Sequence, residues 1–159
     1  MQVTAAIEPR AQLDEPVMSV LRLKTPGVWS TSPDSTVYEA IEMMAEKRVG
    51  ALVVMREGTL AGIVSERDYA RKVILKNKHS QETRVHEIMT APVLSISPGQ
   101  SIQECMRTMS THRVRHLPVV EAEKVVGIVS IGDLVNWIIR SQEQTIHHLH
   151  NYITGAYPA

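Results

Sequence analysis

The hydrophobic pattern of this chain of 159 residues changes period several times, and each change predicts an element of secondary structure. Apolar side chains recur at helical spacing in some stretches and form short runs bounded by glycine or proline in others. In order, the pattern predicts a strand at 28–31, a helix at 37–47, a hairpin of strands at 51–55 and 60–64, and a helix at 66–74. Together these elements make a β-α-β-β-α unit.

The same unit occurs twice, because residues 93–140 repeat residues 28–75 at an offset of 65 without a gap. About a third of the paired positions carry the same residue, well above what unrelated chains of average composition share. The first helix of each unit opens with a capping box, at Thr36 and at Ser101. One copy is too small to bury a good core. We therefore expect an α+β fold in which the two repeats pack sheet to sheet with pseudo-twofold symmetry.

Short apolar segments at 17–21 and 85–89 precede the two units and mirror each other, so the duplication includes a leading helix. The residues before the first of these segments lack periodicity and carry two prolines, which is typical of a mobile terminus. The expected divisions are a flexible N-terminus, a first domain, a second domain, and a C-terminal helix with a tail, at 1–16, 17–80, 81–140 and 141–159.

The composition argues against several classes of function. The 17 basic and 17 acidic residues balance to a formal net charge of zero, whereas nucleic-acid and anionic-membrane surfaces normally need a basic excess. No apolar run approaches the roughly 18 residues of a membrane-spanning helix. The N-terminus lacks the apolar core of a secretory signal. Cys105 lies on an apolar helical stripe and is expected to be a small buried hydrophobe. We expect a cytoplasmic protein with no membrane and no nucleic-acid partner.

The strongest local motif is Gly-Ile-Val-Ser-x-x-Asp, which ends at Asp68 in the first repeat and at Asp133 in the second. A serine at a strand-to-helix junction leaves backbone N–H groups at the positive end of the helix dipole, which favours an anion. The aspartate one turn later can accept two hydrogen bonds from a diol such as ribose. Ser-x-x-Asp is also close to a capping box, which needs no ligand. Both interpretations stay open.

A second constellation lies where the first helix of each unit leads into the hairpin. In the second repeat it reads Arg-Val-Arg-His-Leu-Pro, and Arg115 and His116 are placed to reach a phosphate. The first repeat has Gly50 and Ala51 at these positions, which offer space and backbone but no charge. A solvated basic turn is the alternative interpretation.

With these two constellations, the chain resembles the cystathionine β-synthase-type (CBS) domain pair, or Bateman module, over residues 17–140. The Gly-Ile-Val-Ser-x-x-Asp and Arg-x-x-x-Leu-Pro-Val elements carry the resemblance, which is strongest to small stand-alone bacterial proteins made of one such pair. The resemblance implies a regulatory module that binds adenosine nucleotides (AMP, ADP, ATP or NADH) in two clefts between the repeats, without transforming them.

The resemblance also implies which residues bind. The two aspartates would hold ribose hydroxyls, and the serines of the motif would meet phosphate or ribose oxygens. Because Arg67 has Gly132 as its counterpart, we expect the Asp68 cleft to bind phosphate and the Asp133 cleft to suit a less charged ligand or stay empty. One cleft would join Ser65, Arg67 and Asp68 to Leu94, Val114, Arg115, His116 and Pro118, and the other would join Ser130 and Asp133 to Trp29, Val49, Gly50 and Ala51.

No catalytic or metal-binding set stands out. The two motif serines lack a histidine at a spacing that suggests a base. His112 and His116 have the i,i+4 spacing of a metal pair, but the helix is expected to end between them. The C-terminal segment has an apolar face that predicts a helix packing on the module or on a partner. A solvated face, with adventitious metal binding as the alternative, accounts for its histidines, His147, His148 and His150.

These observations favour a regulatory module with no catalytic activity and no required cofactor. A nucleotide would shift its conformation according to the difference in affinity for two states. The output would pass to an unidentified effector protein or to self-association, and the family resemblance implies a homodimer. The alternative is a protein-interaction scaffold with the same fold and no physiological nucleotide. A small hydrolase or transferase has no motif to support it.

Overall fold

The computed structural model describes residues 12–154. The mixed α+β class predicted from the sequence is confirmed, and most predicted elements are present. In chain order the elements are α1 (Val17–Leu21), β1 (Ser30–Thr31), α2 (Val37–Lys47), β2 (Ala51–Arg56), β3 (Thr59–Ser65), α3 (Glu66–Tyr69), α4 (Val85–Ile88), α5 (Ile102–His112), β4 (His116–Glu121), β5 (Lys124–Ser130) and α6 (Ile131–Thr154).

The first repeat forms a three-stranded sheet in the order β1-β2-β3, with β1 parallel to β2 and β2 antiparallel to β3. In the second repeat the predicted first strand is reduced to one bridge between Ile96 and Val119. Its two hydrogen bonds run from the Ile96 N–H to the Pro118 carbonyl and from the Val120 N–H to the Ile96 carbonyl. The next hydrogen bond of this ladder would need an N–H from residue 118, and proline has none. Pro118 therefore prevents the ladder from extending.

Helix α2 covers the residues predicted for it, 37–47. The C-cap residues of α2 and α5, Arg48 and Arg113, adopt left-handed backbone conformations with φ of 56° and 53°. The predicted helix at 66–74 is α-helical only in α3 and continues as a π-helical turn, Ala70–Ile74. The last helix of the second repeat and the predicted C-terminal helix are one continuous element, α6, because no proline or glycine interrupts it after its first turn.

The leading helix α4 is hydrogen-bonded to the start of the first repeat. The Val85 and His86 N–H groups donate to the carbonyls of Ser35 and Pro33, and the Val37 N–H donates to the Thr83 carbonyl. These bonds satisfy backbone donors at the N-termini of α4 and α2, which no intrahelical partner can reach. The helix that leads into the second repeat therefore belongs structurally to the first.

The leading helix α1 makes the same bonds to the second repeat. The Val17 and Met18 N–H groups donate to the carbonyls of Gln100 and Pro98, and the Ile102 N–H donates to the Glu15 carbonyl. Gln100 and Pro98 are the counterparts of Ser35 and Pro33 at the offset of 65. The duplication thus extends to the leading helices, as predicted. Helix α1 is hydrogen-bonded to the second repeat, and helix α4 is hydrogen-bonded to the first.

The chain forms two compact units that follow this exchange. We call residues 25–97 and 118–128 the β3 unit, and residues 12–24, 98–117 and 129–154 the α6 unit. The core of the β3 unit is formed by Val37, Ala40, Met44, Leu52, Val54, Val64, Val73, Val85 and Ile88. The buried side chains of the α6 unit mostly occupy positions that match core positions of the β3 unit in the repeat. They are Val17, Val20, Ile102, Cys105, Met109, Leu117, Val129 and Leu134.

Within the part of the chain described, no helix combines the length and the apolar character needed to cross a membrane.

Gly62 shows why the motif begins with glycine in the β3 unit. Ile63 and Thr90 exchange two backbone hydrogen bonds of 3.1 and 2.9 Å, so the segment after α4 lies directly against β3. A Cβ built on Gly62 would lie 2.6 Å from Met89 Sδ and 3.1 Å from the Thr90 carbonyl oxygen. A side chain at this position would have to displace Met89 and would crowd the Thr90 carbonyl.

We predict that Gly62→Ala lowers the free energy of unfolding by about 1–3 kcal/mol, the usual cost of overpacking a well-packed site. Urea denaturation of the purified variants measures this change. Gly99→Ala is the matched control, because a Cβ at Gly99 meets nothing within 4 Å. An effect of Gly62→Ala no larger than that of the control would contradict the packing argument.

Candidate functional site

The Ser65–Asp68 element forms a closed capping box at the start of α3. Asp68 Oδ2 accepts from the Ser65 N–H at 2.9 Å and from the Ser65 hydroxyl at 3.0 Å, while the Asp68 N–H donates to Ser65 Oγ at 3.2 Å. Ser65 is extended, with φ −129° and ψ 164°, as an N-cap residue must be. The capping interpretation of this motif is therefore correct as far as local geometry goes.

A carbonyl from the preceding hairpin uses the next helical donor. The Glu66 N–H donates to the Gly50 carbonyl at 3.1 Å. Ala51 is paired in register with Ser65. Because the N–H groups of Ser65, Glu66 and Asp68 all have partners, the start of α3 is not the open anion site that the motif alone suggested. The structure thus brings Gly50, Ala51, Ser65 and Asp68 together within one repeat.

The second repeat reproduces this arrangement in the α6 unit. Asp133 Oδ2 accepts from the Ser130 N–H at 2.8 Å, and the Asp133 N–H donates to Ser130 Oγ at 3.1 Å. The Ile131 N–H donates to the Arg115 carbonyl at 2.9 Å, as Glu66 does to Gly50. The two repeats therefore share the same backbone arrangement. The residue whose carbonyl accepts from the first helical N–H is Gly50 in the first repeat and Arg115 in the second.

Each aspartate is paired with a lysine, but the two lysines come from different places. Lys72, one turn after Asp68 in the same helical segment, lies 2.9 Å from Asp68 Oδ1. Lys72 Nζ also donates to the Ile88 carbonyl at 2.8 Å, which ties the pair to α4. Asp133 is paired instead with Lys24, whose Nζ lies 2.8 Å from Asp133 Oδ2. Lys24 follows α1 and is 109 residues away in sequence.

The surroundings of Asp133 favour its charged form. Partial burial by itself raises the pKa of this carboxyl group, but hydrogen bonds from Lys24 and from the Ser130 backbone, together with the Lys24 charge, outweigh that effect. The net result is an Asp133 pKa below its ordinary value. The carboxylate is therefore held ionised and oriented in the protein without a ligand.

The other predicted site residues of the β3 unit differ in how much surface they offer. Trp29 is 46% exposed, and Lys47 Nζ lies 4.4 Å from the centroid of its ring. Val49 packs against the core, and Ala51 is only 3% exposed, which leaves almost no surface for an adenine ring. Leu94 is exposed.

Strand β4 and the turn before it contain the remaining predicted residues. In the α6 unit Arg115 is exposed, while Val114 and His116 are half-buried. Pro118 belongs to the β3 unit and is buried, so it can contribute little beyond its backbone. Both predicted clefts combine residues of the two units, and these combinations stay predictions. Arg67, on α3, is half-buried.

Sequence reasoning did not identify either lysine. Lys72 lies four residues after Asp68 at the spacing that pairs opposite charges on a helix, so a search for i,i+4 pairs would have found it. Lys24 has no such local signal, because only the docking of α1 on the second repeat brings it to Asp133.

The predictions for cysteine and the paired histidines can be compared with the structure directly. Cys105 is fully buried, as predicted, and burial, with a smaller effect of Glu104, raises the pKa of its thiol to about 11. Such a thiol is poorly reactive near neutral pH. Helix α5 ends at His112 and His116 begins β4, as predicted. Among residues 12–154, no group of three or more His, Cys, Asp or Glu side chains is placed to hold a metal ion.

Comparison with known proteins gives consistent matches. The family model described as the CBS domain matches residues 20–75 and 85–140. The mitochondrial CBS domain-containing protein CBSX3 of Arabidopsis thaliana is 38% identical over 135 residues, covering 82% of this chain but only 65% of that protein. The Bacillus subtilis CBS domain-containing protein YhcV is 35% identical over 116 residues, covering 73% of this chain and 82% of that protein.

Solved structures agree. A candidate signal-transduction protein with CBS domains from Burkholderia ambifaria is 48% identical with a TM-score of 0.78, covering 80% of this chain and 96% of that chain. The CBS domain pair of protein MJ0100 is 26% identical with a TM-score of 0.67, covering 76% of this chain and 93% of that one. That pair was solved in complex with 5′-methylthioadenosine and S-adenosyl-L-methionine.

The lowered pKa of Asp133 predicts a pH-dependent contribution to stability. A carboxyl group whose pKa is lowered on folding stabilises the protein above its unfolded-state pKa of about 3.9, and the contribution is lost as pH falls through the folded-state pKa. Asp133→Asn should therefore cost about 0.5–1 kcal/mol at pH 7, a value appropriate to a partly exposed pair, and almost nothing at about pH 2. Urea denaturation at several pH values measures the difference.

Glu143→Gln is the control, since Glu143 is an exposed carboxylate on the same helix α6. A cost of Asp133→Asn that does not change between pH 7 and pH 2 would mean that the capping hydrogen bonds, and not the charge, supply the stabilisation.

Proposed function

The chain belongs to the CBS domain family, and from this premise we propose that its Ser-x-x-Asp elements bind adenosine nucleotides such as AMP, ADP, ATP or NADH. A CBS domain pair is a regulatory module, and CBS-domain proteins are generally not catalytic. One observation carries the proposal: the same serine, aspartate and hairpin carbonyl are assembled twice, at Ser65 and at Ser130.

In the proposed sites each aspartate binds the ribose hydroxyls. A carboxylate accepts from both hydroxyls of a diol, and the capping bonds hold it in one orientation beforehand, which lowers the entropy cost of binding. The binding of 5′-methylthioadenosine and S-adenosyl-L-methionine by the MJ0100 pair supports an adenosine-containing ligand here.

A protein-interaction scaffold without a physiological nucleotide is the second candidate. The observation in its favour is that both aspartates already have partners: Asp68 has Ser65 and Lys72, and Asp133 has Ser130 and Lys24. Capping and ion pairing account for these residues without any ligand. Ligand binding therefore has to be tested directly.

The proposed output is a change in self-association or in affinity for an effector protein. A nucleotide can shift such an equilibrium only by the difference between its affinities for the two states. We propose a cytoplasmic homodimer as the resting form, in keeping with the sequence-based expectation.

We predict that at least one adenosine compound stabilises the purified chain. A ligand at about 100-fold its dissociation constant adds about 2.7 kcal/mol to the free energy of unfolding. The measurement is a thermal-shift panel with AMP, ADP, ATP, NADH and S-adenosylmethionine, using protein refolded from denaturant to remove co-purified ligand. Mass spectrometry of the material released by denaturation identifies the compound, and sedimentation with and without it reports the change in association. No shift with any member of the panel would favour the scaffold.

A second prediction separates binding from capping. Asp68→Ala should abolish one binding event and leave the other, because it removes the ribose ligand of one site only. Glu39→Ala is the matched control: Glu39 occupies the same position in the capping box of α2, where its carboxylate accepts from the Thr36 N–H at 2.8 Å. Both variants should lose about 1 kcal/mol of stability. Isothermal titration with the best ligand of the panel counts the sites.

Only Asp68→Ala should lower the number of binding events. If Asp68→Ala binds like the wild type and differs from it only in stability, the aspartate serves as a helix cap and the proposed ligand role is wrong. If Glu39→Ala loses binding equally, the loss reports general destabilisation of the β3 unit.

A further inference from the structure

A small cavity lies beside the Lys24–Asp133 pair in the α6 unit. Its volume is about 110 Å³. This is enough space for a group of a few heavy atoms, such as a phosphate. The lining residues come from α1, the segment after it, and the first turns of α6, and they are Val20, Leu23, Lys24, Asp133, Asn136, Trp137 and Arg140.

The cavity lining is rich in hydrogen-bond donors. Lys24 and Arg140 are cations, and the Asn136 amide and the Trp137 indole supply neutral N–H groups. Asp133 is the one acidic residue of the lining, and Lys24 neutralises it. The lining therefore carries a net charge of +1, from two cations and one anion. A compact anion with several oxygens, such as a phosphate, matches this set of donors.

The two cations are not part of the duplicated pattern. At the offset of 65, the counterpart of Arg140 is Leu75, and the counterpart of Trp137 is Lys72. Lys24 lies in a linker that is longer in the first repeat: Val17 to Val28 is 11 positions, whereas Val85 to Val93 is 8. The basic residues near the two aspartates thus come from different positions in the two repeats.

We propose that this cavity is a phosphate subsite of the Asp133 site, with Lys24 and Arg140 as the residues that select a phosphorylated nucleotide over an uncharged nucleoside. The inference rests on the proposed function, since it assumes that Asp133 binds ribose. It reverses the expectation that the Asp133 cleft suits a less charged ligand. That expectation compared Arg67 with Gly132 and could not include cations from the segment after α1 and from the third turn of α6.

Binding then involves an exchange of partners at Lys24. In the free protein Lys24 Nζ is 2.8 Å from Asp133 Oδ2, and the carboxylate is 25% exposed. A partly exposed ion pair contributes little to stability, so loosening it costs little. Hydrogen bonds between a charged ligand group and a lysine are stronger than those between neutral groups. A nucleotide would bind Asp133 through its ribose and Lys24 through its phosphate. A nucleoside would make only the interaction with Asp133.

The test uses AMP and 5′-methylthioadenosine, which share adenosine and differ at the 5′ position in charge. Isothermal titration is performed on protein carrying Asp68→Ala, so that the Asp133 site alone reports. We expect AMP to bind at least tenfold more tightly than 5′-methylthioadenosine. Lys24→Met should reduce this preference about tenfold and Arg140→Met by a smaller factor, with the affinity for 5′-methylthioadenosine unchanged. Lys24→Arg should retain the preference.

Arg107→Met, which removes an exposed cation from α5 of the same unit, is the control and should change neither affinity. If Lys24→Met tightens both compounds, Lys24 merely competes for Asp133 and the inference is overturned. Equal affinities for the two compounds in the Asp68→Ala protein overturn it as well, while leaving the proposed function intact. If neither compound binds wild-type or Asp68→Ala protein, the proposed function itself fails for these ligands.

Discussion

The exchange of leading helices is the constraint on which the rest of this structure depends. A helix as short as α1 or α4 is not stable alone, because the entropy lost in forming the first turn exceeds the stabilisation from its hydrogen bonds. Each is held by backbone hydrogen bonds to the turn before the main helix of a repeat, at Gln100 and Pro98 or at Ser35 and Pro33. The same contacts satisfy the first donors of α5 and α2. The two compact units are therefore assembled from segments that are distant in the chain.

This exchange also determines the electrostatics of the two aspartates. Asp68 receives its lysine from its own helical segment, and Asp133 receives Lys24 from the segment after α1. The backbone around the two aspartates is the same, with a hairpin carbonyl bonded to the first helical N–H in both repeats. Because the backbone is the same and the lysine partners differ, the two proposed sites would differ in their affinity for a given ligand.

Helix capping and the proposed ligand binding would use the same atoms. The oxygens of Asp68 are bonded to the Ser65 N–H, the Ser65 hydroxyl and Lys72 in the absence of any nucleotide. Such bonds orient the carboxylate, and a carboxylate that is already fixed loses little entropy on binding. The capping box is thus compatible with a binding role and does not argue against it. Loss of the carboxylate acts on stability and on binding together, which is why a matched capping residue, Glu39, is needed to separate them.

The amino-acid sequence by itself determined the duplication, the α+β class and most helices and strands, because these depend on local periodicity and on caps such as Thr36 and Ser101. It also identified Ser65, Asp68 and their counterparts as one repeated arrangement. Tertiary structure alone decided that Pro118 stops the second ladder at Ile96, that α1 packs on the second repeat, and that Lys24 reaches Asp133. Contacts between residues distant in the chain leave no periodic trace in a sequence, since they depend on how complete elements dock.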